Sequence, residues 1–187
     1  MPRRPWKCYR ELANKAYVKK EKKTGKMRRT YVTGVPETKL RHFTMGKRDN
    51  DFNHVIKLTV DEKGQISDVA VEAGRVAANR YLNKKLTPQN YFMKVLLYPH
   101  HVIREHKMMA FAGADRLQDG MRRAFGKACG NAVRVERPGK DIMLIKVDKE
   151  NVKHAKIALT RTRMKLPLKA SINVITNEEY KKNGGAF

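Results

Sequence analysis

Cysteine is nearly absent from this 187-residue chain. Cys8 and Cys129 stand far apart and form no Cys-x-x-Cys pair, so they suggest neither a disulfide framework nor a zinc knuckle, and two idle thiols are the default reading. No run of about eighteen apolar residues is available to span a bilayer, and no basic amphipathic helix dominates, which weakens an anionic membrane as a partner. The start, Met-Pro-Arg-Arg-Pro-Trp-Lys, is charged and no apolar stretch follows it, which predicts an intracellular protein. No long-period repeat is present. Negative charge is scarce beside positive: 18 Asp and Glu face 42 Lys and Arg, leaving a formal charge of +24. An excess this large repels itself and calls for a polyanion. Nucleic acid is the natural candidate, because every phosphate neutralised releases condensed counterion.

The excess is uneven. Residues 1–50 carry sixteen basic against four acidic side chains, 51–100 seven against five, 101–150 eleven against seven, and 151–187 eight against two. Half of the net charge therefore sits on roughly the first quarter of the chain. Up to about Gly46 there is little apolar periodicity, and cations mix with aromatics: Arg3, Arg4, Trp6, Lys7, Tyr9, Arg10, Tyr17, Lys19, Lys20, Tyr31, His42 and Phe43. Cations bind phosphate while aromatic and guanidinium planes stack on unpaired bases, so this mixture suits folded RNA better than duplex DNA. A solvated tail is the plain alternative. Lys19 to Arg29, centred on Thr24-Gly25, reads as the exposed tip of a hairpin or loop, and Val35-Pro36 marks a turn.

From Asn53 the pattern becomes that of a packed domain. His54 to Asp61 alternates as a strand with one buried face, and Lys63-Gly64 turns the chain. Between Ser67 and Lys85, Val69, Ala73, Val76, Ala77 and Tyr81 recur at helical steps, with Arg75, Asn79, Arg80 and Lys84 on other faces. Tyr91 to Tyr98 is apolar on both parities and predicts a strand inside a sheet, ended by Pro99. Asn131–Arg137 and Ile142–Val147 read as strands joined in a hairpin at Pro138-Gly139. Asp148 is placed to cap a helix with Val152, Ala155 and Leu159 inward and Arg161, Arg163 and Lys165 in its last turn. Ala170, Ile172 and Val174 alternate as a final strand, and 177–187 reads as a frayed tail.

Between these strands, Ala110 to Gly130 is a glycine-punctuated basic segment, with Gly113, Gly120, Gly126 and Gly130 permitting a bent or mobile path and Arg116, Arg122, Arg123 and Lys127 giving cationic tips. About twenty residues is longer than connection requires, and long loops often carry function. His100, His101 and His106 invite a metal or general-base reading, but no carboxylate or cysteine array accompanies them at a diagnostic spacing, which favours backbone or RNA contacts.

The motifs Pro2-x-Arg4-Pro5-x-x-Cys8-Tyr9-Arg10, Gly34-Val35-Pro36, Glu72-Ala73-x-Arg75-x-Ala77-Ala78-Asn79-Arg80-Tyr81-Leu82, Tyr98-Pro99-His100-His101-Val102 with Arg104-Glu105, and Ala112-Gly113-Ala114-Asp115-Arg116-Leu117-Gln118-x-Gly120-Met121-Arg122 stand in one order along the chain. Together they resemble the archaeal and eukaryotic branch of the large-subunit ribosomal protein family called L-sixteen in bacteria and L-ten-e in archaea. The resemblance implies an α+β fold, a two-layer sandwich of the α/β-hammerhead type. Residues 1–52 would form a basic RNA-binding extension, 53–176 the sandwich with a functional loop at 104–130, and 177–187 a tail. It further implies a cytoplasmic, ribosome-bound structural protein without enzymatic activity, cofactor, metal, membrane or homo-oligomer. Its partners would be large-subunit ribosomal RNA, A- and P-site tRNA, and neighbouring proteins with the 5S RNA region. Candidate ribosomal-RNA contacts are Arg3, Arg4, Trp6, Lys7, Tyr9, Arg10, Lys19, Lys20, Arg28, Arg29, Arg41, His42, Arg75, Arg80, His100, His101, Arg104, Arg161, Arg163 and Lys165. The tRNA-proximal set is Gly113, Asp115, Arg116, Gln118, Gly120, Arg122, Arg123 and Lys127. Support of tRNA accommodation and of late subunit assembly is the implied role. The rivals are an RNA-modifying or RNA-cleaving enzyme using His100, His101 or Cys129, and a free RNA chaperone.

Overall fold

The computed structural model describes residues 4–12, 32, 34–48, 52–106 and 126–182, together with the backbone of 19–23 and 26–30. In chain order the elements are β1 (Lys19–Lys23), β2 (Lys26–Thr30), β3 (Thr44–Gly46), β4 (His54–Val60), β5 (Gly64–Ser67), α1 (Asp68–Lys85), β6 (Tyr91–Val95), β7 (His101–Glu105), β8 (Lys127–Val135), β9 (Lys140–Val147), α2 (Val152–Arg163), β10 (Ala170–Thr176) and α3 (Asn177–Lys182). This is an α+β chain. An antiparallel five-stranded sheet runs β10-β4-β9-β6-β3, a three-stranded sheet runs β5-β8-β7, and β1 pairs with β2 alone.

Alternation decides the two faces of the large sheet. Ile56, Leu58 and Val60 of β4, Met93 and Val95 of β6, and Met143, Ile145 and Val147 of β9 meet α1 and α2 in one continuous core. Val55, Phe92 and Leu144 point the other way and pack with Phe52 and Tyr180. Leu40, ahead of the first long strand, is 1% exposed and belongs to the main core, and β3 hydrogen-bonds along β6. The backbone N–H of Lys39 donates to the buried Asp68 carboxylate at 3.0 Å, tying this lead-in to the start of α1. Ser67 caps α1 by accepting from Ala70 N at 3.1 Å.

Several local expectations are overturned. The Val69, Ala73, Val76 stripe of α1 faces outward, with Val69 48% exposed. The buried face is Val71, Gly74, Ala78, Tyr81 and Leu82, because the small residues there admit α2. The strands on either side of Pro138-Gly139 form no hairpin: β8 pairs with β5 and β7, whereas β9 pairs with β4 and β6. Gly139, at φ +84, carries the chain from one sheet to the other, and its N–H donates to Val60 O at 2.7 Å. Tyr91–Tyr98 is strand only to Val95, within the sheet interior as its sequence predicts. β8 begins at Lys127 rather than Asn131, since pairing to β7 continues through Arg104↔Ala128 and Glu105↔Lys127. Asp148 makes no side-chain cap; a short 3-10 turn, Lys149–Asn151, precedes α2 instead. The expected frayed tail is helical through Lys182, with Tyr180 buried.

Candidate nucleic-acid interface

Residues 4–12 lie as a strap against β5. The Trp6 indole donates to Gln65 O at 3.1 Å, Gln65 N donates to Arg10 O at 2.9 Å, and the Gln65 side-chain amide donates to Glu11 O at 2.6 Å. The Arg10 guanidinium meets Glu62 at 2.8 Å, and that of Arg4 lies 3.5 Å from Glu105. Glu62 is held below its ordinary carboxyl range by the Lys169 backbone N–H and by Arg10. Tyr9 lies tilted against Trp6, with ring centres 5.7 Å apart, and burial pushes its phenol above the ordinary value. The aromatics of this segment therefore fasten it to the body, while Arg4 and Lys7 stay exposed. Behind the strap, β1 and β2 pair in register from Lys19↔Thr30 to Lys23↔Lys26, which brings the backbones of Lys20 and Arg29 opposite one another. Arg3 and the side chains of Lys19, Lys20, Arg28 and Arg29 lie outside the described residues.

On the helical side the candidates divide. Arg75 is 9% exposed; its Nε donates to Glu72 at 2.8 Å and its Nη1 points at Met45 Sδ, a geometry that raises its pKa through the Glu72 hydrogen bond and joins α1 to β3. Arg80, Arg161, Arg163 and Lys165 are exposed. Arg161 lies over the Tyr81 ring at 4.3 Å, which sets a cation from α2 at the rim of the α1–α2 interface. Arg163 and Lys165 sit at the C-terminal end of α2, where the helix dipole favours positive charge. They are held in place by a buried helix pair rather than by each other.

A third group gathers around the crossover between β6 and β7. The rings of Phe43 and Tyr98 stack with centres 5.6 Å apart and planes at 23°, and His100 follows at 4.5 Å from Tyr98. Tyr98 is 45% exposed despite its size. Beside these rings opens a groove of about 660 Å³ lined by Pro36, Arg41, Tyr98, His100, Val102 and Asn131. Arg41 carries an exposed ion pair with Glu37 at 2.8 Å, and His42 is also exposed. His101, one residue on, is buried in β7, whereas His100 is exposed. Burial pulls the Arg104 pKa below its ordinary value. Tyr98 was not among the candidate contacts; an aromatic beside Pro99 at the end of an apolar run is the signal that marks it. The tRNA-proximal candidates Gly113, Asp115, Arg116, Gln118, Gly120, Arg122 and Arg123 lie outside the described residues. Lys127 is described, exposed on β8 opposite Glu105, and Gly126 before it takes φ +79.

Among the described residues no group of three metal-ligating side chains is found, and no helix is long and apolar enough to cross a membrane. The family model described as Ribosomal protein L16p/L10e matches residues 19–173. The large ribosomal subunit protein uL16 of Hyperthermus butylicus is 47% identical over 187 residues, covering 97% of this chain and 98% of its own. The proteins of the same name from Staphylothermus marinus and Sulfolobus acidocaldarius are 50% and 47% identical, over 92% and 93% of this chain and 93% and 94% of theirs.

Proposed function

This chain belongs to the ribosomal protein L16p/L10e family, and from that premise we propose that it grips large-subunit ribosomal RNA near the A and P tRNA sites and presents its 104–130 segment to tRNA. It is a structural, non-enzymatic constituent of the large ribosomal subunit, of archaeal type, and works in the cytoplasm as part of the ribosome. In this reading residues 1–52 are the RNA-binding extension, stapled to the body by the strap at Gln65 and by β3. Residues 53–176 are the two-layer, hammerhead-type body, with both long helices on one face of the large sheet. Residues 177–187 are the tail, of which Asn177–Lys182 covers the other face through Tyr180. The loop glycines supply reach, and Arg116 and Arg122 supply phosphate contacts. Neighbouring proteins and the 5S RNA region are further partners, and support of tRNA accommodation and late assembly is the resulting role.

The near end-to-end similarity to uL16 proteins carries this reading, and a charge of +24 agrees with it, since each cation set on phosphate adds roughly one unit to the salt dependence of binding. Sedimentation tests it. Cell extract resolved on a sucrose gradient at moderate salt should put the chain in the large-subunit fractions in stoichiometric amount. Recovery only at the top of the gradient would identify a free RNA-binding protein instead and overturn the assignment.

A further inference from the structure

The groove beside Tyr98 does not end at the aromatic rings. Tyr98 and His100 also line a second opening of about 290 Å³ on their other side, with Arg134 and Lys140. Arg134 and Lys140 in turn line a third, of about 500 Å³, that includes Arg137 and Gly139. The three openings share walls, so an aromatic ridge stands in the middle of one continuous surface track with cations at both ends. We propose that this track binds a single strand of RNA, with an unpaired base stacked on the Tyr98–His100 ridge, phosphates on Arg137 and Lys140 to one side, and the strand continuing past Arg41 on the other.

Three observations carry this. The ridge is preformed: Phe43 backs Tyr98, His100 N donates to Tyr98 O at 3.0 Å, and Pro99 between them is buried. A base landing there meets rings already ordered. The charge is suited to a phosphate chain. The two carboxylates of the track are answered, Glu37 by Arg41 at 2.8 Å and Glu136 by Arg134 at 3.0 Å, whereas Arg137 and Lys140 are exposed and form no ion pair with a described residue. An exposed ion pair such as Arg41–Glu37 is worth little and costs little to release. Finally, among RNA forms an aromatic ridge favours a base outside a helix, because bases inside a duplex already stack on their neighbours.

The proposal rests on the ribosomal-RNA reading but locates a mode and a place of contact that reading does not contain. Fluorescence anisotropy of the full chain with a short oligoadenylate and with a duplex RNA of equal length tests it. His100→Ala and Tyr98→Ala should each weaken oligoadenylate binding about tenfold, as loss of one base–aromatic stack predicts, and change duplex binding less than about twofold. Tyr98→Phe keeps the ring and should retain binding, which separates stacking from misfolding. Arg137→Gln with Lys140→Gln should lower the single-strand salt slope by about 1.4. Equal losses on duplex and single strand, or unchanged oligoadenylate binding in the histidine variant, would overturn the track. Sedimentation of the wild-type chain keeps the two readings apart: its absence from the large subunit defeats the ribosomal reading, whereas the anisotropy pattern alone decides the track.

Discussion

Gly74 sits where α1 and α2 come closest, and its place shows how a residue can be wrongly read from periodicity. A Cβ built there would stand 2.7 Å from Thr162 Cγ2. Thr162 cannot turn aside freely, because its hydroxyl donates within the buried interface to Gly74 O at 3.1 Å and reaches Ala158 O at 3.3 Å. Helix propensity alone would make Gly74→Ala stabilising by about 1 kcal/mol. Overpacking of about 1–3 kcal/mol opposes it, so Gly74→Ala should lower stability by roughly 1 kcal/mol. In a Thr162→Ser background, where the obstructing methyl is gone, the same change should stabilise. Chemical denaturation of the four proteins measures the cycle, and a stabilising Gly74→Ala in the wild-type background would refute the close-contact account. The sequence offered no sign of this: valines at 69 and 76 look more like a core face than a glycine and an alanine do, and only the partner helix decides which face needs small side chains. Arg75 is a comparable case. Its charge suggested RNA; the i,i+3 spacing already set Glu72 beside it on the helix, but no local signal placed Met45 there.

At the scale of elements, strands and helices were legible where one period ran uninterrupted, as in β4, α1 and α2, and misread where the partner lay far away in sequence. β8 and β9 looked like a hairpin because a Pro-Gly turn separates them; each instead finds partners in a different sheet, a long-range pairing that no local signal encodes. The terminal helix α3 was missed for a related reason. Six residues, Asn177–Lys182, are too few to hold a helix alone. It persists because Tyr180 covers Phe52, Val55, Phe92 and Leu144, and the ammonium groups of Lys57 and Lys146 lie 4.6 and 5.7 Å from its ring centre. Asn177 N also donates to Asn53 O at 2.9 Å. Tyr180→Ala should therefore cost about 3 kcal/mol and expose the apolar patch beneath, whereas Tyr180→Phe, which keeps both packing and ring, should cost under about 1 kcal/mol. Thermal unfolding compared across the two variants distinguishes them; equal losses would mean that the hydroxyl, not the ring, secures α3.

For the molecule as a whole, the distribution of charge matters more than its sum. The described cations fall into those used inside the fold, such as Arg10 on Glu62, Arg75 on Glu72 and Lys57 on Asp141, and those left at the surface, such as Lys7, Arg80, Arg137 and Lys165. Composition revealed the excess and its concentration in the first fifty residues, but not that Trp6, Tyr9 and Arg10 there act as fasteners. A deletion of the N-terminal segment would thus remove the strap along with the charge and confuse the two. Replacing Lys19, Lys20, Arg28 and Arg29 by glutamine is cleaner, because all four lie in the β1–β2 pair beyond the strap and the change leaves Gln65 its partners. If this pair is the principal phosphate grip, binding to large-subunit ribosomal RNA should weaken, and the slope of log K against log salt should flatten by about three units, near the limit for four lost phosphate contacts. The same substitution at Arg161, Arg163 and Lys165 should flatten it by no more than about two, since Arg161 already faces Tyr81. A slope unmoved by the β1–β2 variant but reduced by the α2 variant would transfer the main grip from the extension to the helical face.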